Sequence, residues 1–310
     1  MKTISVVMPT FNEEANIEAI CMAVREQLEK FPAYDYEIIF IDNDSKDSSR
    51  EILRRICSEN KRVKAILNAK NFGQNKSPFY GVCQAYGDAV ILMAADFQDP
   101  PELIGEMVAK WEEGCKIVTL IKNKSRESWI KYLARSIYYK LLKKTTSVEM
   151  IEHFTGSGLY DKDFVDVLRG LDANEPYLRG MVSELGFKRG EVFFTQPKRK
   201  GGKSSNNFFS LFDVAMLGFT SYSKTGLRIA TFIGFLTMLI SFLIAGVYLV
   251  LKLMYWDWFP AGNAPLVLGV FMFSGAQMFF LGLLGEYVMA INGRVMKRPL
   301  VIEETRINFD

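Results

Sequence analysis

The segment Ile4-Ser-Val-Val-Met-Pro-Thr-Phe-Asn-Glu-Glu14 decides the fold of the amino-terminal part of the chain. Its first half, Ile4–Met8, is an almost continuous apolar run, which is typical of a strand buried on both faces. Its second half, Pro9–Glu14, is largely polar and follows the strand without a break. Apolar residues at helical spacing come next, at Ile17, Ile20, Val24 and Leu28. A buried strand, a polar loop and a helix in this order predict the first βα unit of a parallel sheet.

Three more segments repeat this pattern. The further predicted strands are Glu37–Ile41, Val63–Leu67 and Ala89–Met93. Each ends in a polar cluster, and these clusters are Asp42-Asn-Asp-Ser45, Asn68–Gly73 and Ala94-Ala-Asp-Phe-Gln-Asp99. The repeats predict a Rossmann-like, doubly wound and mostly parallel α/β sheet. Ligands of such sheets bind beyond the carboxyl ends of the strands, so we expect the functional site among these clusters.

Composition excludes several classes of protein. The chain has 310 residues, 49% of them apolar, and a formal net charge of +3. It is therefore too apolar for a disordered protein and too near neutral for a nucleic-acid-binding one. There is one histidine, His153, and the four cysteines form no Cys-x-x-Cys pair, which argues against zinc sites. The cysteines lie in apolar stretches, so we expect buried free thiols in a reducing compartment, with disulfides as the alternative.

The polar clusters indicate a nucleotide and a metal ion. Asn12, Glu13, Asp42 and Asp44 offer short acceptors suited to ribose hydroxyls and a base edge, and neither the phosphate-loop nor the dinucleotide-binding glycine pattern is present. Asp96, Gln98 and Asp99 stand together after the fourth strand, and Mg²⁺ usually takes one or two carboxylates beside substrate phosphates. The alternative is a helix cap ahead of Pro100-Pro-Glu102. We assign Asp96 to metal binding and Asp99 to capping.

Two uncharged stretches near the carboxyl end predict membrane spans. Ile229–Leu251 has 23 residues without a charge, and a second stretch runs from Trp258 to Gly285. A helix needs about 20 apolar residues to cross a bilayer, so we predict spans near 227–252 and 265–291. Lys224 and Arg228 stand at the start of the first span, and Arg294, Lys297 and Arg298 follow the second. The loop between the spans is aromatic, so this distribution of basic residues predicts that both termini are in the cytoplasm.

The predicted organisation has four parts. Residues 1–206 form a cytoplasmic domain, 207–226 an interfacial amphipathic helix, 227–293 a two-helix transmembrane hairpin and 294–310 a cytoplasmic tail. The segment 131–144 is basic and amphipathic, which fits a lipid-facing helix or an ordinary surface helix equally well. We therefore expect an inner (plasma) membrane protein with two spans.

The combined motifs resemble family 2 glycosyltransferases over nearly the whole chain. They are Val7-Met-Pro-Thr-Phe-Asn-Glu-Glu14, Phe40-Ile-Asp-Asn-Asp-Ser-Lys-Asp47, Asn71-Phe-Gly73, Asp96-Phe-Gln-Asp-Pro-Pro-Glu102 and Leu284-Gly-Glu-Tyr287. With the two spans, the chain is most similar to the polyprenyl-phosphate branch, which includes bactoprenol glucosyltransferases and dolichol-phosphate mannose synthases. The resemblance implies a GT-A domain that transfers a hexose, with inversion, from a nucleotide sugar such as UDP-glucose to undecaprenyl phosphate, with Mg²⁺ or Mn²⁺. It also implies a homo-oligomer and a separate flippase partner.

The resemblance assigns roles to individual residues. Nucleotide-binding positions are Pro9, Thr10, Asn12, Glu13, Asp42 and Asn71, and metal-binding positions are Asp96 and Gln98. Asp96 and Arg199 are the expected catalytic residues, since Arg199-Lys-Gly-Gly-Lys-Ser204 resembles the family loop that closes over the donor diphosphate. That loop is alternatively a solvated linker. Apart from the resemblance, basic residues that could hold the acceptor phosphate are Lys122, Arg126, Lys131, Arg135 and Lys203. A generic lipid-facing patch is the alternative for the basic residues near the membrane surface.

Three departures from the family pattern favour keeping other functions open. The first acid of the family's Asp-x-Asp is Ala94, Asn43-Asp44 replaces the usual Asp-Gly, and Phe154–Tyr160 has no acid before Asp161. A phosphate acceptor is largely ionised at neutral pH, because its second pKa is about 6, and it needs no general base. The alternatives are a processive polysaccharide synthase and a non-catalytic nucleotide-sugar-binding scaffold.

Overall fold

In the computed structural model, the described residues are 1–124, 151, 153–171, 173, 176–197, 263–295 and 298–309, with five single positions between 232 and 254. The strands of these regions are β1 Lys2–Thr10, β2 Tyr34–Asp42, β3 Val63–Asn68, β4 Ala89–Leu92, β5 Ile117–Lys124, β6 Phe154–Asp161, β7 Arg189–Thr195 and β8 Glu303–Ile307. The helices are α1 Ile17–Leu28, α2 Ser49–Glu59, α3 Gly73–Gln84, α4 Leu103–Glu112, α5 Lys162–Gly170, α6 Leu178–Glu184 and α7 Asn263–Val295.

The four predicted strands form the parallel centre of one sheet, as expected. The strand order is β7-β5-β6-β4-β1-β2-β3-β8, and β1 pairs in parallel with both β2 and β4. Successive side chains of β1 enter different cores. Val6 packs with residues of α1, α2 and α4, whereas Val7 packs with residues of α3, α5 and α6. Helices therefore cover both faces, which is why Ile4–Met8 reads as a continuous apolar run.

The sheet is mixed, and the prediction of a mostly parallel sheet needs correction at one interior strand, β6, and at one edge strand, β8. Strand β6 is antiparallel to both β4 and β5, and β8 is antiparallel to β3. The crossover through α4 carries the chain from β4 to β5 while leaving one strand position between them, and β6 fills it. Its sequence, Phe-Thr-Gly-Ser-Gly-Leu-Tyr-Asp, has no clear alternation, so periodicity gave no signal for this strand.

The carboxyl-terminal segment belongs to this sheet. Strand β8 pairs with β3, and the Ala69 N–H donates to the Ile302 carbonyl at 2.9 Å. Asn308 donates from Nδ2 to the carbonyls of Cys57 and Val63. The boundary therefore differs from the predicted one, because residues 303–307 of the expected tail are an edge strand of the amino-terminal domain.

The structure describes the predicted membrane segments to different extents. Helix α7 contains the whole second predicted span. The first span is described only at single helical positions, and the segments 131–144 and 207–226 lie outside the described residues. Among the parts of the chain that the structure describes, no helix combines the length and apolarity required to cross a membrane.

The cysteines are free thiols, as predicted. Cys21, Cys57 and Cys115 are buried, and Cys83 is half-buried. Burial raises the pKa of Cys21 to about 11 and that of Cys57 to about 12. The thiols of Cys21 and Cys57 are therefore protonated at neutral pH and act as small apolar core residues.

Candidate active site

The candidate site lies beyond the carboxyl ends of β1, β2 and β4. Strand β1 stands between the other two, and the chain leaves it toward β2 on one side and returns through β4 on the other. This arrangement is the switch point at which open α/β sheets bind ligands. Pro9 and Thr10 end β1, Asp42 ends β2, and Ala94–Asp99 follows β4. The fold thus brings together clusters that are up to 90 residues apart in sequence, as their positions at strand ends predicted.

Asn12 connects the loops that follow β1 and β2. Its backbone N–H donates to Ser45 Oγ at 2.9 Å, and its Oδ1 accepts from the Lys46 N–H at 2.8 Å. Its φ of 55° lies in the left-handed region, which asparagine tolerates better than most residues. Asn12 therefore shapes the rim of the site.

Thr10 and Glu13 also have structural partners. Thr10 Oγ1 donates to the Ile41 carbonyl at 3.3 Å, so this hydroxyl links β1 to β2. The Glu13 N–H donates to Ser49 Oγ, and Glu13 Oε2 accepts from Asn16 Nδ2 at 2.7 Å. Both side chains are buried. These contacts fix the loop after β1 in the place where the sequence predicted nucleotide-binding residues.

Asp42 has one engaged and one unengaged carboxylate oxygen. Its side chain is fully buried at the end of β2. Oδ2 accepts from Arg50 Nε at 2.7 Å and from the Ser45 N–H at 3.1 Å. Oδ1 is buried and has no hydrogen-bond partner among the described residues. A buried carboxylate oxygen without a donor is costly, so this atom is suited to accept a hydrogen bond from a ligand.

An amide cluster behind Asp42 holds the loop after β3. Asn43 Oδ1 accepts from Asn68 Nδ2 and from the Phe72 N–H, and Asn43 Nδ2 donates to Asn71 Oδ1 at 2.9 Å. The predicted residue Asn71 therefore lies at the site, oriented by Asn43. The roles of Asn43 and Asn68 were missed in the sequence, since amides in polar loops give no periodic signal.

Asp99 closes the loop after β4 and does not cap a helix. Its Oδ2 accepts from the Ala94 N–H at 2.9 Å and from Ser157 Oγ at 2.6 Å. The predicted capping role is wrong, because α4 begins only at Leu103, after Glu102. Burial, with a smaller contribution from the charge of Asp96, raises the pKa of Asp99.

Asp96 and Gln98 lie beside groups from the far half of the sheet. Asp96 is 9% exposed, and its Oδ1 accepts from the Gln98 N–H at 3.0 Å. Gln98 Oε1 accepts from Gln196 Nε2 at 2.7 Å, and Gln196 Oε1 accepts from Lys122 Nζ at 2.8 Å. The structure therefore places Lys122, a predicted phosphate-binding residue, next to the predicted metal-binding loop. Gln196 was missed, because only the pairing of β5 with β7 brings it there.

The oxygen atoms of Asp96 and Gln98 are suited to bind a hard divalent cation. The ligand atoms that they can offer are the carboxylate oxygens of Asp96 and the amide oxygen of Gln98, and Mg²⁺ commonly binds one or two carboxylates while substrate phosphates complete its shell. The described regions contain no group of three or more His, Cys, Asp or Glu that could hold a metal by itself. The residues present therefore fit an ion that is shared with a bound diphosphate.

A small cavity opens beside Ala94. It has a volume of about 150 Å³ and lies between β4, β6 and the amino-terminal ends of α3 and α6. Its polar lining consists of Gln74, Asn75, Ser157, Tyr177 and Arg179. The alanine leaves space at the position where the family pattern has its first acid.

Asp161, the first acid after the glycine-rich strand, has a structural role. It accepts from Trp111 Nε1 at 2.7 Å and from Lys116 Nζ at 2.9 Å, and it caps α5 by accepting from the Asp163 N–H. Although burial by itself raises the pKa of Asp161, these hydrogen bonds lower it overall. With all these donors engaged, Asp161 is not placed to act as a general base.

Several predicted residues lie outside the described residues. They are Arg126, Lys131, Arg135, Arg199 and Lys203. The described chain ends at Pro197, one residue after Gln196, and resumes beyond the basic loop.

Comparison with known proteins identifies a family. Residues 5–168 match the model of Glycosyl transferase family 2. An uncharacterized glycosyltransferase of Bacillus subtilis, YkcC, is 33% identical over 299 residues, which cover 96% of this chain and 92% of that protein. The prophage bactoprenol glucosyl transferase homolog of Escherichia coli K12 is 30% identical over 300 residues, with coverage of 96% and 97%. The structure of glucosyl-3-phosphoglycerate synthase from Mycobacterium tuberculosis with Mn²⁺ and UDP aligns over 71% of this chain and 78% of that one, at 19% identity and a TM-score of 0.42.

Proposed function

The chain belongs to glycosyl transferase family 2 and is a glycosyltransferase, and from that premise we propose that it transfers a hexose from a nucleotide sugar to a polyprenyl phosphate at the cytoplasmic face of a membrane. UDP-glucose is the donor we expect, with undecaprenyl phosphate as acceptor. The relative from Escherichia coli, which is named a bactoprenol glucosyl transferase homolog, supports this choice because it aligns over nearly the full length of both chains.

The observation that carries the proposal is the unpartnered Asp42 Oδ1. It is a buried acceptor at the end of β2, on the opposite side of β1 from the acidic loop after β4. A nucleoside diphosphate has the complementary groups, since a base can donate an N–H at one end while the diphosphate meets Asp96, Gln98 and a cation at the other. The buried acceptor and the acidic loop thus support binding of the two ends of one donor.

The proposed metal site uses Asp96 and Gln98 as oxygen ligands. A bound Mg²⁺ or Mn²⁺ would neutralise the charge that develops on the departing nucleotide diphosphate. Around it, Gln196 orients Gln98, and Asp99 holds the loop backbone through Ala94. Lys122 would contribute positive charge near the phosphates, since Gln196 Oε1 accepts a hydrogen bond from it. Arg199 follows Gln196 by three residues, so the basic loop is proposed to supply further positive charge to the same phosphates.

The proposed acceptor explains why the chain can lack a dedicated base. Asp161, the first acid after the glycine-rich stretch, is engaged by Trp111 and Lys116. A phosphate monoester is already ionised near neutral pH, so attack on the anomeric carbon depends on alignment and on relief of charge repulsion rather than on proton removal.

The membrane location is part of the proposal and rests on two observations. Ile229–Leu251 has no charged residue over 23 positions. Large apolar side chains of α7 are exposed instead of packed against the sheet, namely Leu266, Val270, Phe273, Leu281, Leu284, Val288, Ile291 and Val295. An exposed apolar surface of this kind is typical of contact with lipid or with another apolar helix. Confinement of the site to the bilayer surface would bring a cytosolic donor to an anchored phosphate.

The direct test uses membranes that contain the full chain, incubated with radiolabelled UDP-, GDP- or CDP-sugars and undecaprenyl phosphate. A butanol-soluble glycolipid, absent from membranes with Asp96→Ala, is the expected product. A polymer would instead favour a processive synthase. Nucleotide binding without any transfer would overturn the proposed reaction and favour a non-catalytic scaffold, for which Ala94 is the motivating residue.

A further inference from the structure

We infer that Arg50 and Glu304 form a positioning relay that presents Asp42 to the nucleotide, so that the carboxyl-terminal strand β8 is part of the donor site. This inference rests on the proposed function, because it assigns the proposed base-binding carboxylate its supporting residues. Neither residue was singled out by the sequence motifs, and they are 254 positions apart.

Arg50 binds the carboxylate oxygen of Asp42 that the ligand would not use. Its Nε donates to Asp42 Oδ2 at 2.7 Å, and the Arg50 side chain is only 20% exposed. With Oδ2 held by Arg50 and by the Ser45 N–H, the rotation of the carboxylate is fixed and Oδ1 is left to accept from a ligand. Hydrogen bonds between a guanidinium and a carboxylate are strong and geometrically specific, which suits this orienting role.

The other nitrogens of Arg50 are held by the edge of the sheet. Nη1 donates to Glu304 Oε2 at 2.7 Å, and Nη2 donates to the Asn68 carbonyl at 2.5 Å. The guanidinium therefore contacts β2 through Asp42, β3 through Asn68 and β8 through Glu304. A planar group with partners on three strands has little rotational freedom, whereas the compact ammonium of a lysine could not make all three contacts in this geometry.

A β-bulge places Glu304 at this position. Along β8, Thr305 is opposite Leu67 and Glu303 is opposite Asn68, so Glu304 is the extra residue of the pairing. Bulges redirect a side chain out of the regular alternation of a strand. At this bulge, Glu304 reaches Arg50, whereas its neighbour Glu303 accepts from Arg306 of its own strand. Glu304 and Glu303 are thus two adjacent carboxylates with different partners, and they provide a matched pair for mutation.

The test measures nucleotide binding directly, without the acceptor. UDP, GDP and CDP are titrated calorimetrically into the detergent-purified full chain and its variants, and donor KM and kcat are then measured with undecaprenyl phosphate. Arg50→Lys keeps the charge but not the planar fork, and we expect it to weaken the nucleotide Kd about tenfold or more. Glu304→Gln is expected to weaken the Kd about three- to tenfold, and Glu303→Gln, the control, by less than about twofold.

Two readouts separate positioning from a general loss of structure. In the Arg50→Lys and Glu304→Gln variants, the KM for the donor should rise, whereas kcat at saturating donor should stay within about twofold of the wild-type value. The double variant should bind no more weakly than Arg50→Lys alone, since Glu304 acts through Arg50. Glu304 is 49% exposed, so its amide variant tests the relay even where Arg50→Lys fails to fold.

The outcomes distinguish this inference from the proposed function. Wild-type affinity in Arg50→Lys and Glu304→Gln, or an equal loss in Glu303→Gln, overturns the relay alone. If the wild-type chain binds nucleotide and the variants lose it, but no glycolipid forms, the relay stands and the proposed transfer is wrong. Failure of the wild-type chain to bind any of the three nucleotides overturns both.

Discussion

Gln196 donates a hydrogen bond from Nε2 to Oε1 of Gln98 at 2.7 Å, although 98 residues separate the two in the chain. Gln98 belongs to the acidic loop after β4, and Gln196 follows the last residue of β7. This contact joins the proposed metal-binding loop to the start of the basic loop that contains Arg199. Because Lys122 donates to the same Gln196 side chain, three separate segments meet at one amide.

Replacement of Gln196 should impair transfer more than stability. Gln196→Ala removes the contacts to Gln98 and Lys122, and we expect kcat/KM to fall about tenfold because the metal-binding loop loses its orientation. Gln196→Glu keeps an acceptor for Lys122 but has no donor for Gln98, so we expect kcat/KM to fall by less than in Gln196→Ala. Thr195→Ala, at the exposed end of β7, is the control. Equal activity of Gln196→Ala and the control, measured as glycolipid formation, would remove Gln196 from the site.

Removal of divalent metal should abolish transfer. Treatment with EDTA, or the substitution Asp96→Ala, is expected to lower glycolipid formation by at least about a hundredfold, since charge on the leaving diphosphate is no longer neutralised. Added Mg²⁺ or Mn²⁺ should restore the EDTA-treated wild-type enzyme but not the variant. Glu102→Ala removes an exposed carboxylate from the same segment and should keep full activity. Full activity of the wild type in EDTA would contradict the metal assignment.

Gly158 should not tolerate a side chain. A Cβ atom at this position would lie 2.2 Å from the Val118 carbonyl oxygen, so an alanine forces β5 and β6 apart. We expect Gly158→Ala to lower the free energy of unfolding by about 2–4 kcal/mol and to displace the neighbouring Ser157 from Asp99. Gly170→Ala meets no atom within 4 Å and should be neutral or stabilising by up to about 1 kcal/mol. Thermal unfolding of the two variants provides the comparison, and equal stability would refute the steric argument.

Asp161 should contribute a pH-dependent part of the stability and little to the chemistry. Because hydrogen bonds lower its pKa in the folded state, its ionised form stabilises the protein above the unfolded pKa of about 3.9. This contribution is lost as the pH falls through the lower, folded-state pKa. Asp161→Ala also loses a helix cap and leaves Trp111 Nε1 without its acceptor, so we expect a destabilisation of about 2–4 kcal/mol at pH 7 that shrinks toward pH 3.

Asp161→Asn separates the structural role from a catalytic one. The amide oxygen can still cap α5 and accept from one donor, so transfer at pH 7 should stay within about threefold of the wild type. The difference in melting temperature between this variant and the wild type should vanish at acid pH. A large loss of kcat with an unchanged melting temperature would instead indicate that Asp161 takes part in the reaction.

Local sequence patterns were sufficient to predict the central strands of the sheet and the first helix. The apolar runs of β1 to β4 and the helical spacing of Ile17, Ile20, Val24 and Leu28 each arise within a few residues, so period and composition predict them directly. The meeting of the polar clusters could be predicted as well, because parallel strands bring their carboxyl ends to one edge of the sheet. The interpretation of Asp99 as a helix cap was wrong because it considered only the residues next to it in the sequence. Proline and acid near a helix start look like a cap, but the partner that decides the role of Asp99 is Ser157, on a strand that sequence periodicity does not mark.

The amino-acid sequence by itself determined the βα units, the acidic clusters at their ends and the free state of the cysteines, since each depends on neighbouring residues and on burial of local apolar runs. Tertiary structure alone decided where β6, β7 and β8 join the sheet, and hence that Glu304 of β8 lies near Asp42 and that Gln196, after β7, orients Gln98. Arg50 with Glu304 and Gln98 with Gln196 are pairs separated by 254 and 98 positions. Hydrogen bonds over such separations depend on strand order and on a single bulge, neither of which leaves a periodic trace in the chain.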